Sequence, residues 1–83
     1  MNKELEVLTV LLDSLPQLLK PQGYAAIISF HSLEDRIVKE NFNKNKINNI
    51  YEIITKKPLT ASIGEIRENP RSRSAKLRIA KRI

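Results

Sequence analysis

His31-Ser32-Leu33-Glu34-Asp35-Arg36 sets an imidazole, a hydroxyl, two carboxylates and a guanidinium within six consecutive residues. Such groups orient polar substrates, accept their protons and hold their anions. His31 is the only histidine and there is no cysteine, so disulfides and thiolate metal sites are excluded. A zinc centre would need several carboxylate partners for that one imidazole. The six residues directly follow Tyr24-Ala25-Ala26-Ile27-Ile28-Ser29-Phe30, an apolar stretch that reads as a strand. In open α/β sheets the ligand crevice lies at the carboxyl ends of the strands, which makes His31, Glu34 and Asp35 catalytic candidates. Structural readings stand beside this one. Ser32 as N-cap with Asp35 three residues on is a capping box, and Glu34 complements the dipole in a first helical turn.

A second constellation is cationic. Residues 1 to 35 carry two Lys against five acids, whereas residues 36 to 83 carry thirteen Lys or Arg against four acids, giving +6 for the chain. This asymmetry suits a phosphate-rich partner, because each neutralised phosphate releases counterions. Asn69-Pro70-Arg71-Ser72-Arg73-Ser74-Ala75-Lys76 reads as a basic loop whose guanidinium groups suit phosphate through bidentate bonds. Alternatively, an arginine of this region locks the last strand onto the preceding helix. Four aromatic residues are too few for a stacking platform.

The elements that position these groups follow from periodicity. Leu5, Leu8, Leu12, Leu15 and Leu19 form a helical stripe, with Asn2 as N-cap and Glu4 in the first turn. Pro16 is expected to interrupt it, with Asp13-Ser14 capping a second short helix. Lys20-Pro21-Gln22-Gly23 turns the chain. The near-continuous apolar character of Tyr24 to Phe30 predicts an interior strand, covered on both faces in a parallel sheet. A helix from Ser32 to about Phe42 comes next, then a loop over Asn41 to Asn49, which is rich in Asn and Lys. Ile50 to Thr55 is a second strand candidate, closed by Lys56-Lys57-Pro58. Ser62-Ile63-Gly64-Glu65 offers a capping box for one or two turns, stopped before Asn69-Pro70. In the final segment Ala75, Leu77 and Ile79 are expected to face the core, with Lys76 and Arg78 on a wetter face. The fold class is α/β, and the chain provides only two strands besides Tyr24 to Phe30, leaving one of its edges without a partner.

Ile28-Ser29-Phe30-His31-Ser32-Leu33-Glu34-Asp35-Arg36-Ile37-Val38-Lys39 resembles the signature of the bacterial methyltransferases that act on cytosine N4 of 16S ribosomal RNA. Thr55-Lys56-Lys57-Pro58-Leu59-Thr60, Glu65-Ile66 and Asn69 to Arg78 are similar to that family's closing motif, in the same order. Asn2-Lys3-Glu4-Leu5 and Leu18-Leu19-Lys20-Pro21 resemble its preceding helix and turn, so the resemblance covers essentially residues 1–83. It implies the second half of a class I methyltransferase doubly wound sheet with an antiparallel final strand. It also implies methyl transfer from S-adenosylmethionine to a cytosine of the decoding centre. The glycine-rich donor loop, the acidic residue for the donor's ribose and the helical insertion domain have no counterpart here, so the chain is expected to be a carboxy-terminal part. Gln22 stands where a second glycine is usual in the family.

Cytosine's exocyclic amine is a poor nucleophile because its lone pair is delocalised, so transfer depends on hydrogen-bond acceptors and in-line placement. His31 is read as orienting the base or a phosphate, and Glu34 as accepting from the amine. Arg36, Lys56, Lys57, Arg71, Arg73, Lys76 and Arg78 are the candidates for the 16S RNA backbone, with Arg36 alternatively paired to an acid. Two other readings remain open: a non-catalytic basic RNA-binding module, and a structural subunit that completes a sheet begun by an upstream polypeptide carrying the donor half. A chain of 83 residues buries roughly 60% of its unfolded surface, which argues against a complete enzyme. No apolar run approaches the ~20 residues of a membrane span and the start lacks a signal peptide's order, so a cytoplasmic protein is expected.

Overall fold

The computed structural model describes residues 3–83; the expected N-cap, Asn2, lies outside them. The order is α1 (Lys3–Leu18), β1 (Tyr24–Ser29), α2 (Ser32–Ile47), β2 (Tyr51–Ile53), β3 (Leu59–Thr60), α3 (Ile63–Glu68), a 3-10 helix (Pro70–Ser74) and β4 (Lys76–Arg82). β4 is the central strand, antiparallel to all its neighbours: β1 on one side, β2 and β3 on the other. β1 therefore has one partner and one open edge among the described residues, as expected, although the chain has three further strands rather than two, the short β3 having been missed in the sequence.

The leucine stripe of α1 packs inward, with Leu12 fully buried and Leu8, Leu15 and Leu19 against the core. α1 is not divided at Pro16, contrary to expectation. Pro16 lies in the last turn, where its missing N–H leaves only the carbonyl four residues earlier without a helical partner. The helix closes beyond it with Leu19 N–H donating to the Leu15 carbonyl at 2.9 Å. Ser14 caps nothing; its hydroxyl bonds back to the Val10 carbonyl, and Asp13 accepts from Asn41 Nδ2 at 3.1 Å. In the turn that follows, Gln22 holds a left-handed φ of 74°, the conformation that explains why glycine suits this position. Gly23 is tight for another reason: an added Cβ would stand 2.9 Å from the Lys20 carbonyl oxygen.

α2 also departs from expectation, running to Ile47 through the segment read as a loop. Its asparagines act as polar stitches rather than turn formers: Asn41 reaches Asp13 of α1, and Asn45 Nδ2 donates to the Asn41 carbonyl at 2.9 Å. Phe42 lies on the same helix's buried side and meets Tyr51 of β2 edge to face, at 5.6 Å.

α1 and α2 cover one face of the sheet, and the core of Leu12, Ala25, Val38, Phe42, Tyr51 and Ala80 lies between. The other face is open among the described residues. Tyr24, Ile28, Phe30 and Leu59 are all about half exposed or more, so β1 is not covered on both faces as its apolar run suggested. β4 alternates as predicted, but with the opposite face inward: Arg78 and Ala80 are buried, while Leu77 and Ile79 lie on the open side.

The Tyr51 hydroxyl is buried without a hydrogen-bond partner among the described residues, and burial pushes its pKa up. An unsatisfied buried hydroxyl costs about 1–3 kcal/mol. Tyr51→Phe is therefore expected to raise the unfolding free energy by about 1 kcal/mol, read from the urea midpoint at unchanged m-value. A lower midpoint would show that the hydroxyl has a partner.

Candidate nucleic-acid interface

The chain leaves β1 through Phe30 and enters α2 at His31, which is the N-cap with extended backbone, φ −125° and ψ 144°. The capping register is one residue earlier than the Ser32 and Asp35 reading. Glu34, at the third helical position, returns its Oε1 to the N–H groups of His31 at 3.1 Å and Phe30 at 3.2 Å. Those two donors would otherwise be orphans at the helix start.

The one-residue shift turns Asp35 inward. Its carboxylate receives Arg78 Nε at 2.7 Å and Nη2 at 3.0 Å, a bidentate pair between the first turn of α2 and the middle of β4. Both side chains are about 10% exposed. The hydrogen bond from Arg78 holds the Asp35 carboxyl below the usual carboxylate range; burial opposes this, and the charges of Arg78, Lys76 and Lys39 reinforce it. The sequence offers Asp35 as a catalytic candidate or a capping residue, and Arg78 as an RNA-facing cation. The structure gives them another task, locking the last strand to a helix, with the guanidinium withdrawn from solvent.

The remaining cations are placed outward. Arg36 pairs with Glu40 at 3.6 Å across one helical turn, a fully solvated contact of little energetic weight. Lys56 and Lys57 are exposed in the connection between β2 and β3, and Arg71 and Arg73 are exposed on the 3-10 helix. Lys76 is half-buried at the start of β4, in register with Ser29 of β1 and Thr60 of β3. That register brings two sequence-distant candidates together: His31 and Arg71 line one cleft of roughly 390 Å³ with Phe30 and Ser74. Lys56 and Arg36 lie outside it. Phe30 and Ser74 escaped sequence reasoning as site residues, because only the β1–β4 register reveals that they meet.

α3 and the 3-10 helix hold this region by local caps. Ser62 Oγ accepts from Glu65 N–H at 3.2 Å and Glu65 Oε1 accepts from Ser62 N–H at 3.3 Å, the expected capping box. Asn69 ends α3 and its Oδ1 accepts from Arg71 N–H, starting the next helix over Pro70. Beside the cleft is an apolar groove of roughly 580 Å³, lined by Ile28, Phe30, Leu59, Ala75 and Leu77 among others. Among the described residues there is no cluster of three or more metal-ligating side chains, and no helix is long and apolar enough to cross a membrane.

The described residues thus form an α/β unit with an antiparallel central strand, a basic outer surface and a largely apolar cleft with an imidazole and a guanidinium at its rim. Comparison with known proteins makes this specific: residues 1–83 match the model of the MraW methylase family, and the chain belongs to that family. It is 56% identical over 98% of its length to the ribosomal RNA small subunit methyltransferase H of Endomicrobium trichonymphae. To the proteins of that name from Picosynechococcus sp. and Persephonella marina it is 58% and 55% identical over 95% and 99% of its length. The chain spans only 26–28% of the length of these relatives.

The Asp35–Arg78 pair has a pH signature. A carboxylate whose folded-state pKa lies below its ordinary 3.8 contributes stability that is present above that value and is lost as pH falls through the folded pKa. The unfolding free energy should therefore fall between about pH 5 and about pH 2, and Asp35→Asn should flatten that fall relative to the parent chain. Identical pH profiles for the two chains would remove Asp35 from the account.

Proposed function

We propose that the chain is the carboxy-terminal part of an S-adenosylmethionine-dependent methyltransferase that modifies N4 of a decoding-centre cytosine in 16S ribosomal RNA. The observation that carries the reading is a family match along the whole chain by a protein spanning about a quarter of its relatives. Strand geometry supports a class I sheet: β1 and β2 run parallel to each other with an antiparallel final strand inserted between them. Partner, substrate and cytoplasmic setting follow from the same reading, since the substrate is the small ribosomal subunit.

The residues present do not fit the methyl donor. The chain's two glycines lie in the α1–β1 turn and inside α3, and neither follows a strand in a loop that could cradle a nucleoside. The donor half and the helical insertion are assigned instead to an upstream polypeptide or segment, for which the open edge of β1 and the bare apolar sheet face are the natural seat. This chain's own contribution is on the substrate side. His31, at the carboxyl end of β1, is the proposed orienting group. Glu34, fixed by two backbone N–H groups through Oε1, is the proposed acceptor through its second oxygen. Exposed Lys56, Lys57, Arg71 and Arg73, with half-buried Lys76, hold the RNA backbone.

The isolated chain is expected to give no heat on calorimetric titration with S-adenosylmethionine, and to methylate small subunits only when co-expressed with a polypeptide supplying the donor half. It should also bind single-stranded segments of 16S RNA with an affinity that falls steeply with salt. Tight donor binding, or methylation by the chain alone, would overturn the division of labour. RNA retention that is independent of salt would overturn the assignment of the cations.

A further inference from the structure

We propose that the cleft between the end of β1 and the 3-10 helix is a subsite for one unstacked nucleotide of single-stranded RNA, its base on Phe30 and its phosphate on Arg71. The inference rests on the RNA-substrate reading above and adds to it a location and a binding mode. Four residues from two distant segments line the cleft, Phe30 and His31 following β1, Arg71 and Ser74 from the 3-10 helix. It is a shallow depression, open to solvent, of roughly 390 Å³.

Each wall supplies a different recognition element. Among the four aromatics, Phe42 and Tyr51 are core, and Tyr24 has Lys81 Nζ 5.8 Å from its ring centroid. Phe30 is 49% exposed at the rim, an apolar ring left for an external partner. A base lying on it must leave its own stack, which favours single strands over duplex, and one such ring serves one nucleotide. Arg71 donates its backbone N–H to Asn69, while its exposed guanidinium has no ion-pair or hydrogen-bond partner among the described residues. A planar fork of this kind matches phosphate oxygens. Ser74 Oγ and the His31 imidazole are left to address ribose hydroxyls or a base edge.

Charge fixes the orientation. The Glu34 carboxylate sits on the backbone N–H groups of Phe30 and His31, so the helix start is already occupied by an anion and the phosphate seats on the Arg71 side. The neighbouring groove contains Glu65 and no cation in its lining, so it does not compete for the phosphate.

The test uses the whole 83-residue chain and a short labelled single-stranded RNA, with fluorescence anisotropy over a range of salt. Arg71→Gln should weaken binding about tenfold and reduce the salt slope by about one phosphate's worth. Phe30→Leu should weaken it about tenfold with the slope unchanged. Lys20→Gln, at the opposite end of β1, should leave the affinity loss below that of either. In the parent chain, titration with cytidine 5′-monophosphate should move the Phe30 and His31 ring resonances. RNA binding that persists undiminished in both cleft variants, with those rings unmoved, overturns the subsite while sparing the RNA-binding reading. A parent chain that binds no RNA overturns both.

Discussion

The bidentate pair between Asp35 and Arg78 is the contact on which the arrangement depends. It joins the first turn of α2 to the middle of β4, two elements 43 residues apart in sequence. A half-broken pair would leave a charge buried without compensation, a larger cost than the intact pair's net contribution. The pair therefore specifies geometry: with it in place, the start of α2 has one angle against the sheet, and Phe30, His31 and Glu34 have one position relative to β4. Because the 3-10 helix runs directly into β4, the same contact sets the distance from His31 to Arg71. The pair thus ties together the two elements next to which the cleft residues lie.

The second governing feature is asymmetry between the two sheet faces. α1 and α2 bury one face over a small core, and Tyr51 and Ala80 are sealed there. The opposite face presents Tyr24, Ile28 and Leu59, and α1 carries a further apolar set, Val7, Val10, Leu11 and Leu18, on its outer side. Exposed apolar surface of this extent marks sites of association. β1 adds an uncharged open edge next to it, without the Lys, Pro or bulge by which solvent-facing edges are commonly protected. The bare face, the open edge and the quarter-length match to family relatives are the observations behind the proposal that a donor-binding half docks there.

Much of the fold was legible in the residues because it is written locally. The α1 leucine stripe, the apolar run of β1, the Ser62–Glu65 box and the Asn69-Pro70 stop each depend on neighbours a few positions apart, and each appears where expected. What failed required tertiary knowledge. Asn41 and Asn45 look like loop residues until Asp13 of α1 and a carbonyl one turn back are brought within reach. β4 alternates whichever side is buried, and placing Arg78 outside was the choice favoured by hydropathy; only Asp35 reverses it. The His31/Glu34 and Ser32/Asp35 pairs have identical spacing, so the capping register was ambiguous by one residue. That single residue decides whether Asp35 faces solvent or the core. Of the candidate site, His31 and Arg71 were identified singly, but their shared cleft with Phe30 and Ser74 exists only through the β1–β4 register.

The most direct test of this account is a double-mutant cycle on the pair, with Asp35→Asn, Arg78→Gln and the combination measured by urea unfolding at neutral pH. Each single variant should be destabilised, and the double variant should lose less than the sum of the two by about 2 kcal/mol. Effects that add to within about 0.5 kcal/mol would mean that the two groups act independently, and that something other than their bond sets α2 against the last strand.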